Sequence, residues 1–283
     1  MKQKYWVYAS ISVLIWSLMS VFIRFAFGSF SAITLATARI WTSTITMAII
    51  CIVKKVPPPK VRDIPIFFVA GAAGFAVYFT LYNMGFKLVT VATGNVLVAA
   101  APFFTALIAW VFLKERIRPL GWLFIGVSFV GILILALWDG VLSINVGVLL
   151  LLASAVTYSV YSLMQRWLTR RYTSTQSSCF MIFAAAIMTL PFLPAAISDA
   201  VAAPFSAIAV TLSISIAGSF SYIFWAQGLS ISKRTADVVN FLYIPPFLGA
   251  ILAFIIYREL PGWGTVIGGI VILFGLWMYQ KKA

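Results

Sequence analysis

Arg39 is the residue whose type and place could do chemistry. It lies inside the second long apolar stretch, Ser31–Val53, about eight residues from its start and so roughly 12 Å deep at helical rise. A guanidinium at that depth in hydrocarbon costs on the order of 2.5–3.5 kcal/mol on insertion scales. Two roles suit it. As a planar fork of donors it could anchor a carboxylate or phosphate. As a structural group it could snorkel to the membrane face or bond carbonyls of neighbouring helices. Acid–base chemistry has little to work with: of six Asp and Glu none falls in the interior of an apolar stretch, and there is no histidine. A proton relay needs a titratable group within the membrane. Cys51 and Cys179 do not make a metal site, and near the cytoplasmic face they stay reduced, so neither a disulfide nor a cofactor is expected.

Further polar and special residues sit in the apolar stretches. Tyr78 and Tyr82 are spaced i, i+4 and share a helix face; they could line a pathway or belong to an interfacial aromatic belt. Asn95 and Thr105 flank Pro102. Proline has no N–H, so the carbonyl four residues earlier, that of Val98, loses its helical donor; Pro245 does the same to Phe241. Two kinked helices suit gates, although membrane helices tolerate proline for structural reasons too. Gly264 and Gly268, and Gly121, Gly126 and Gly131, suit close helix packing within or between protomers.

The elements that hold these residues are set by composition. Of 283 residues 63% are hydrophobic and 9% charged, with mean hydropathy +1.06, whereas soluble domains carry about 25% charge. The expected class is an all-α membrane protein with ten transmembrane helices: Tyr5–Phe27, Ser31–Val53, Ile64–Phe86, Thr93–Leu113, Leu120–Trp138, Val146–Trp167, Ser174–Ile197, Ser206–Leu229, Thr235–Tyr257 and Gly264–Tyr279. The first run is longer than a cleavable signal core of about 7–15 residues. A net charge of +14 could point to nucleic acid, but its placement excludes that reading. With the N-terminus cytoplasmic, ten crossings put both termini on that side, and sixteen of the twenty Lys and Arg fall in inner loops or ends. The partners expected are the lipid bilayer, anionic lipids included, and a small-molecule substrate, with no nucleic acid. The chain is expected to be a multi-pass protein of the plasma (inner) membrane, as a monomer or homodimer.

Landmarks recur along the chain. Gly85 maps to Gly228 and Pro102 to Pro245 at an offset of 143, Lys114-Glu115 to Arg258-Glu259 at 144, and Gly121-Trp122 to Gly262-Trp263 at 141. Trp16 and Arg24 map to Tyr158 and Arg166 at 142. The expected units are residues 1–139 and 140–283, five spans each. An odd-numbered unit in tandem inserts its second copy upside down, the inverted-repeat plan of secondary transporters, with the substrate site at mid-membrane around a central cavity.

Phe112-Leu113-Lys114-Glu115-Arg116, followed by Gly121, Gly126 and Gly131, resembles the end of a repeat in the drug/metabolite transporter superfamily, of the EamA type. Arg258-Glu259-Leu260 with Gly262, Gly268 and Gly269 is its second occurrence, and Arg39 is similar to an arginine many members carry early in their second helix. The resemblance covers nearly the whole chain. It implies a cavity lined by the first, third, fourth, sixth, eighth and ninth helices, and cargo ranging over amino acids, nucleotide-sugars and vitamins. By position it makes Trp16, Tyr78, Tyr82, Asn95, Tyr158, Trp225, Gln227, Asn240 and Tyr243 candidates beside Arg39, with Pro102 and Pro245 as kinks or gates. The function expected is a secondary transporter, an exporter of an amino acid or related zwitterionic or anionic metabolite, working by alternating access. Without buried acids, facilitated diffusion or exchange is expected rather than carboxylate-coupled antiport. A non-transporting accessory or assembly subunit is the rival reading. A membrane enzyme would need acid–base or nucleophilic groups at depth.

Overall fold

The computed structural model describes residues 5–113, 119–138, 146–232, 238 and 240–282, and among these every regular element is helical. Seven helices are long and apolar enough to cross a membrane, and three shorter apolar helices accompany them. The helix α1 (Tyr5–Phe22) tightens at its end into a 3-10 turn, Ile23–Ala26, from which the chain reverses into α2 (Ala32–Val53). Ser31 starts α2 as its N-cap, taking the Thr34 N–H at 3.1 Å. The next span, α3 (Val61–Phe86), contains a wide π turn over Ala72–Ala76. Two segments, Val91–Val98 and Ala101–Leu113, make up α4. They are followed by α5 (Pro119–Leu137) and α6 (Val146–Leu168). Next come α7 (Ser174–Ala202) and α8 (Phe205–Ile231). A 3-10 turn, Asn240–Tyr243, leads into α9 (Ile244–Tyr257), and α10 is Trp263–Lys282.

Two expected helices differ. The fourth and ninth spans were read as continuous rods kinked at a proline. Instead a turn at Ala99–Ala100 divides α4, so Pro102 stands in the first turn of its second segment, and the 3-10 turn Asn240–Tyr243 runs directly into the α-helix at Ile244, where Pro245 and Pro246 follow. Pro102 has no N–H for the carbonyl of Val98 four residues earlier, so the α-helical pattern lapses between them and resumes after a turn. Asp199 belongs to α7, where its Oδ2 accepts from Thr34 Oγ1 at 2.5 Å. Lys114, Glu115, Arg116, Asp139, Lys233, Arg234 and Asp237 lie outside the described residues.

Apolar residues such as Ile45, Ile52, Leu123 and Phe274 cover the outside, as a lipid-facing surface requires. Inside, many serines bond the carbonyl three or four residues back, as Ser17 Oγ does to Val13 O at 2.7 Å, and so are satisfied within their own helix. Small residues let helices approach. A Cβ on Gly131 of α5 would lie 2.7 Å from the Ile272 amide nitrogen of α10, and one on Gly275 would meet Ser128 Oγ at 2.3 Å. The glycine faces therefore close on each other within one chain. Both cysteines are free thiols.

Polar contacts link the two halves at both ends of α2. At its start, Arg24 pairs with Glu259, whose Oε1 takes the Val91 N–H at 3.1 Å, and within the first half Lys87 Nζ donates to Phe30 O at 2.6 Å. Glu259 is next to Arg258 in sequence, but its ion-pair partner is Arg24, 235 residues away. At the finish of α2, Gln176 Nε2 donates to Pro57 O at 2.8 Å, and the Tyr172 hydroxyl donates to Asp63 Oδ2 at 2.6 Å.

Candidate functional site

The turn that divides α4 and the 3-10 turn at the start of α9 both border one cavity. Its wall takes Trp16, Met19 and Ile23 from α1, Arg39 from α2, and Tyr78, Phe79 and Tyr82 from α3. Asn95, Val98 and Ala99 come from α4, Tyr158 from α6, Tyr222 from α8, and Leu242 and Pro245 from the approach to α9. The cavity measures about 60 Å³. That holds a few waters and falls short of the ~300 Å³ of a small ligand site. A solute of metabolite size would fit only if the rings and helix segments around the cavity moved apart.

Arg39 is 3% exposed. Its Cζ lies 4.1 Å from the centroid of the Phe79 ring, and its Nη1 donates to Asn83 Oδ1 over 3.4 Å. Asn83 is itself held by α2, donating from Nδ2 to Ala32 O at 3.2 Å. Arg39 Nε has no hydrogen-bond partner, and no carboxylate among the described residues pairs with the guanidinium. The ring face offsets part of the desolvation cost. The remaining donor capacity and the charge itself are what an anion entering the cavity would meet.

Around it stands an aromatic box. The ring of Trp16 lies 4.9 Å from Trp225, 5.6 Å from Tyr222 and 6.2 Å from Tyr158. Tyr78 is 5.5 Å from Tyr82 and 5.6 Å from Tyr158. Trp16 Nε1, Tyr158 Oη and Trp225 Nε1 are buried and without partners. Beside the break in α4, Asn95 Nδ2 donates to Ser20 Oγ of α1 at 3.0 Å. It also presses on Gly249 of α9, where a Cβ would come within 2.1 Å of it. Asn95 thus connects three wall helices.

Of the residues singled out from sequence, Trp16, Arg39, Tyr78, Tyr82, Asn95, Tyr158 and Pro245 share this wall. Tyr78 and Tyr82 are in it rather than in an interfacial belt. Trp225 is fully buried behind Trp16. Gln227 is not in the wall, and neither is Pro102, although the break it follows is. Asn240 and Tyr243 occupy the 3-10 turn before α9, and their side chains lie outside the described set. Sequence reading missed Tyr222 and Phe79. Tyr222 stands one helical turn before Trp225, so choosing the right face of α8 and the wrong turn lost it; Phe79 adjoins Tyr78 and carries no signal of its own.

Comparison with known proteins adds the lineage. The EamA-like transporter family matches residues 3–137 and again 145–279. The chain belongs to the EamA-like transporter family. A probable terminal-alkyne amino-acid exporter of Streptantibioticus cattleyicolor is 28% identical over 96% of this chain and 92% of that protein. An uncharacterized transporter of Bacillus subtilis is 26% identical over 94% and 88%. An S-adenosylmethionine uptake transporter of Rickettsia prowazekii is 26% identical over 73% and 69%. A solved crystal structure shares this fold at TM-score 0.68 and 16% identity, with 100% of both chains covered. The two-repeat match and these relatives make this a multi-pass membrane protein of a transporter family.

Proposed function

We propose that the protein is a secondary transporter that exports a small metabolite, an amino acid or related zwitterionic or anionic compound, by alternating access. In this reading residues 1–139 and 140–283 are two five-helix units of opposite orientation, both termini lie in the cytoplasm, and the central cavity is the substrate site. The observation that carries it is Arg39: a buried guanidinium with an unpartnered Nε and no acidic partner among the described residues, in a cavity bordered by the divided α4 and the 3-10 turn at the start of α9. An unpaired cation at bilayer depth is costly to keep and marks a site. The opposed orientation is supported by the end contacts: α1 finishes beside Glu259, whereas α6, its counterpart, finishes where Arg166 Nη1 donates to Leu229 O at 2.7 Å, at the far end of α8. The naming of two relatives for an amino acid and for S-adenosylmethionine supports small, charged cargo.

The test is counterflow in proteoliposomes with labelled amino acids, wild type against Arg39→Lys and Arg39→Ala. Wild type should exchange label across the membrane, the lysine variant weakly and the alanine variant not at all. A well-folded wild type that neither binds nor exchanges carboxylate-bearing solutes would overturn the reading and favour an accessory subunit.

A further inference from the structure

The break in α4 leaves one backbone acceptor beside the cavity. Pro102 has no N–H to give the Val98 carbonyl, and the neighbouring amides go elsewhere: Ala99 N–H to Asn95 O at 3.0 Å, Ala100 N–H to Leu97 O at 3.1 Å, Phe103 N–H to Ala100 O at 2.9 Å. Val98 and Ala99 both border the cavity. They end the segment Val91–Val98, so the negative end of that short helix adjoins the same space. Of the other buried unpartnered groups around the cavity, Arg39 Nε, Trp16 Nε1 and Trp225 Nε1 are donors only, and the Tyr158 hydroxyl can donate or accept. No carboxylate among the described residues borders it. The wall is thus polar at two kinds of place on one small cavity, a cationic fork on α2 and a freed carbonyl on α4.

We propose that the Val98 carbonyl, kept free by Pro102, seats the ammonium group of an α-amino acid whose carboxylate is held by Arg39 and whose apolar side chain lies against Trp16, Tyr158 and Tyr222. This rests on the cavity being the substrate site, and it assigns Pro102 a role in recognition rather than in bending a helix. A neutral carbonyl dipole receives an ammonium without the buried carboxylate that the cavity lacks. It follows that the α-amino group is read: deaminated and N-acetylated analogues, which keep the carboxylate and the side chain, should bind poorly. Replacing Pro102 by alanine supplies the missing N–H to Val98 O and closes the acceptor within the helix.

The experiment measures ligand-induced thermal shifts and counterflow competition with two matched pairs, phenylalanine against 3-phenylpropanoate and leucine against 4-methylpentanoate, with N-acetylleucine as a third probe. In wild type the amino acid of a pair should bind about tenfold or more tightly than its deaminated partner, the scale of one charge-assisted hydrogen bond. Pro102→Ala and Pro102→Gly should remove most of that difference while leaving the binding of the deaminated acid within about twofold, an outcome a purely structural proline would not give. Equal binding of both members by wild type overturns the inference and leaves the transporter reading standing, as does a proline variant that weakens both members alike. A wild type that binds no probe of either kind overturns both. Because the wild-type comparison needs no variant, poor folding of the proline variants leaves the test intact.

Discussion

Arg24 and Arg39 sit on consecutive helices in the first half of the chain, and one is tied down where the other is not. Arg24 closes α1 in an ion pair with Glu259 of the second half, with its Cζ 5.2 Å from the Tyr257 ring centroid. Glu259 also caps the start of α4 through the Val91 N–H. Arg39 has a ring face and one long hydrogen bond, but no acid among the described residues. The same cation thus fastens three helices at one membrane face and, in the middle, stays available to an anion. The energetic cost differs accordingly, since an uncompensated buried charge opposes folding and a paired, half-exposed one does not.

The largest test of that contrast is Arg39→Met. Ligand affinity should fall by about tenfold to a hundredfold, the loss of a charge-assisted contact. The melting temperature should hold or rise, because a costly cation is removed. Scanning fluorimetry with and without leucine reads both, and a melting point that collapses while surviving protein binds normally would break the comparison. Next is Glu259→Gln, which keeps an acceptor for the Val91 N–H and drops the charge facing Arg24. Stability should fall by about 1 kcal/mol and transport rate should change, with affinity unaltered. Exchanging the charges, Arg24→Glu with Glu259→Arg, should recover part of the loss; weaker ligand binding in the single variant would count against the division of roles.

Ionic strength should separate the two arginines less strongly. Raising salt from about 0.1 to 1 M shortens the screening length from ~10 to ~3 Å, so the wild-type melting point should approach that of Glu259→Gln. The smallest effect concerns the opposite membrane face, where Asp63 accepts from Tyr172 and lies 3.7 Å from Arg171. Burial, and then the hydrogen bond to Asp63, hold the Tyr172 phenol above its ordinary pKa. The folded chain keeps that proton to higher pH than the unfolded one. The stabilisation is therefore fully present below the ordinary tyrosine range and is lost as pH rises through it. Tyr172→Phe should cost about 1 kcal/mol at neutral pH and flatten the alkaline limb of the stability profile; an unchanged limb would remove Tyr172 from the account.

Much of the wall was legible because residue type and period carry it. A cation, two tyrosines one turn apart and an asparagine are each out of place in a lipid-facing helix, and Arg39, Tyr78, Tyr82 and Asn95 do share one cavity. On α8 the reading slipped: Trp225 and Gln227 stood out by type, but only Tyr222 of that helix reaches the cavity wall. Nothing in a stretch as evenly apolar and serine-rich as Phe205–Ile231 marks one turn above another. The prolines were legible as interruptions, yet whether a helix bends or stops depends on what packs against the interruption, here Asn95 on Gly249.

Sequence by itself determined that this chain lives in lipid and repeats a unit, and it named half of the residues that gather at the centre. Those follow from transfer free energies and from landmarks that recur at a fixed spacing, both properties of the linear chain. Only the tertiary structure decided that Glu259 belongs to Arg24 and that α4 ends where the cavity begins. It also set which ring of α8 faces Arg39. A helix's pattern gives it a face but not a neighbour, and a partner 235 residues away is chosen by how whole helices pack.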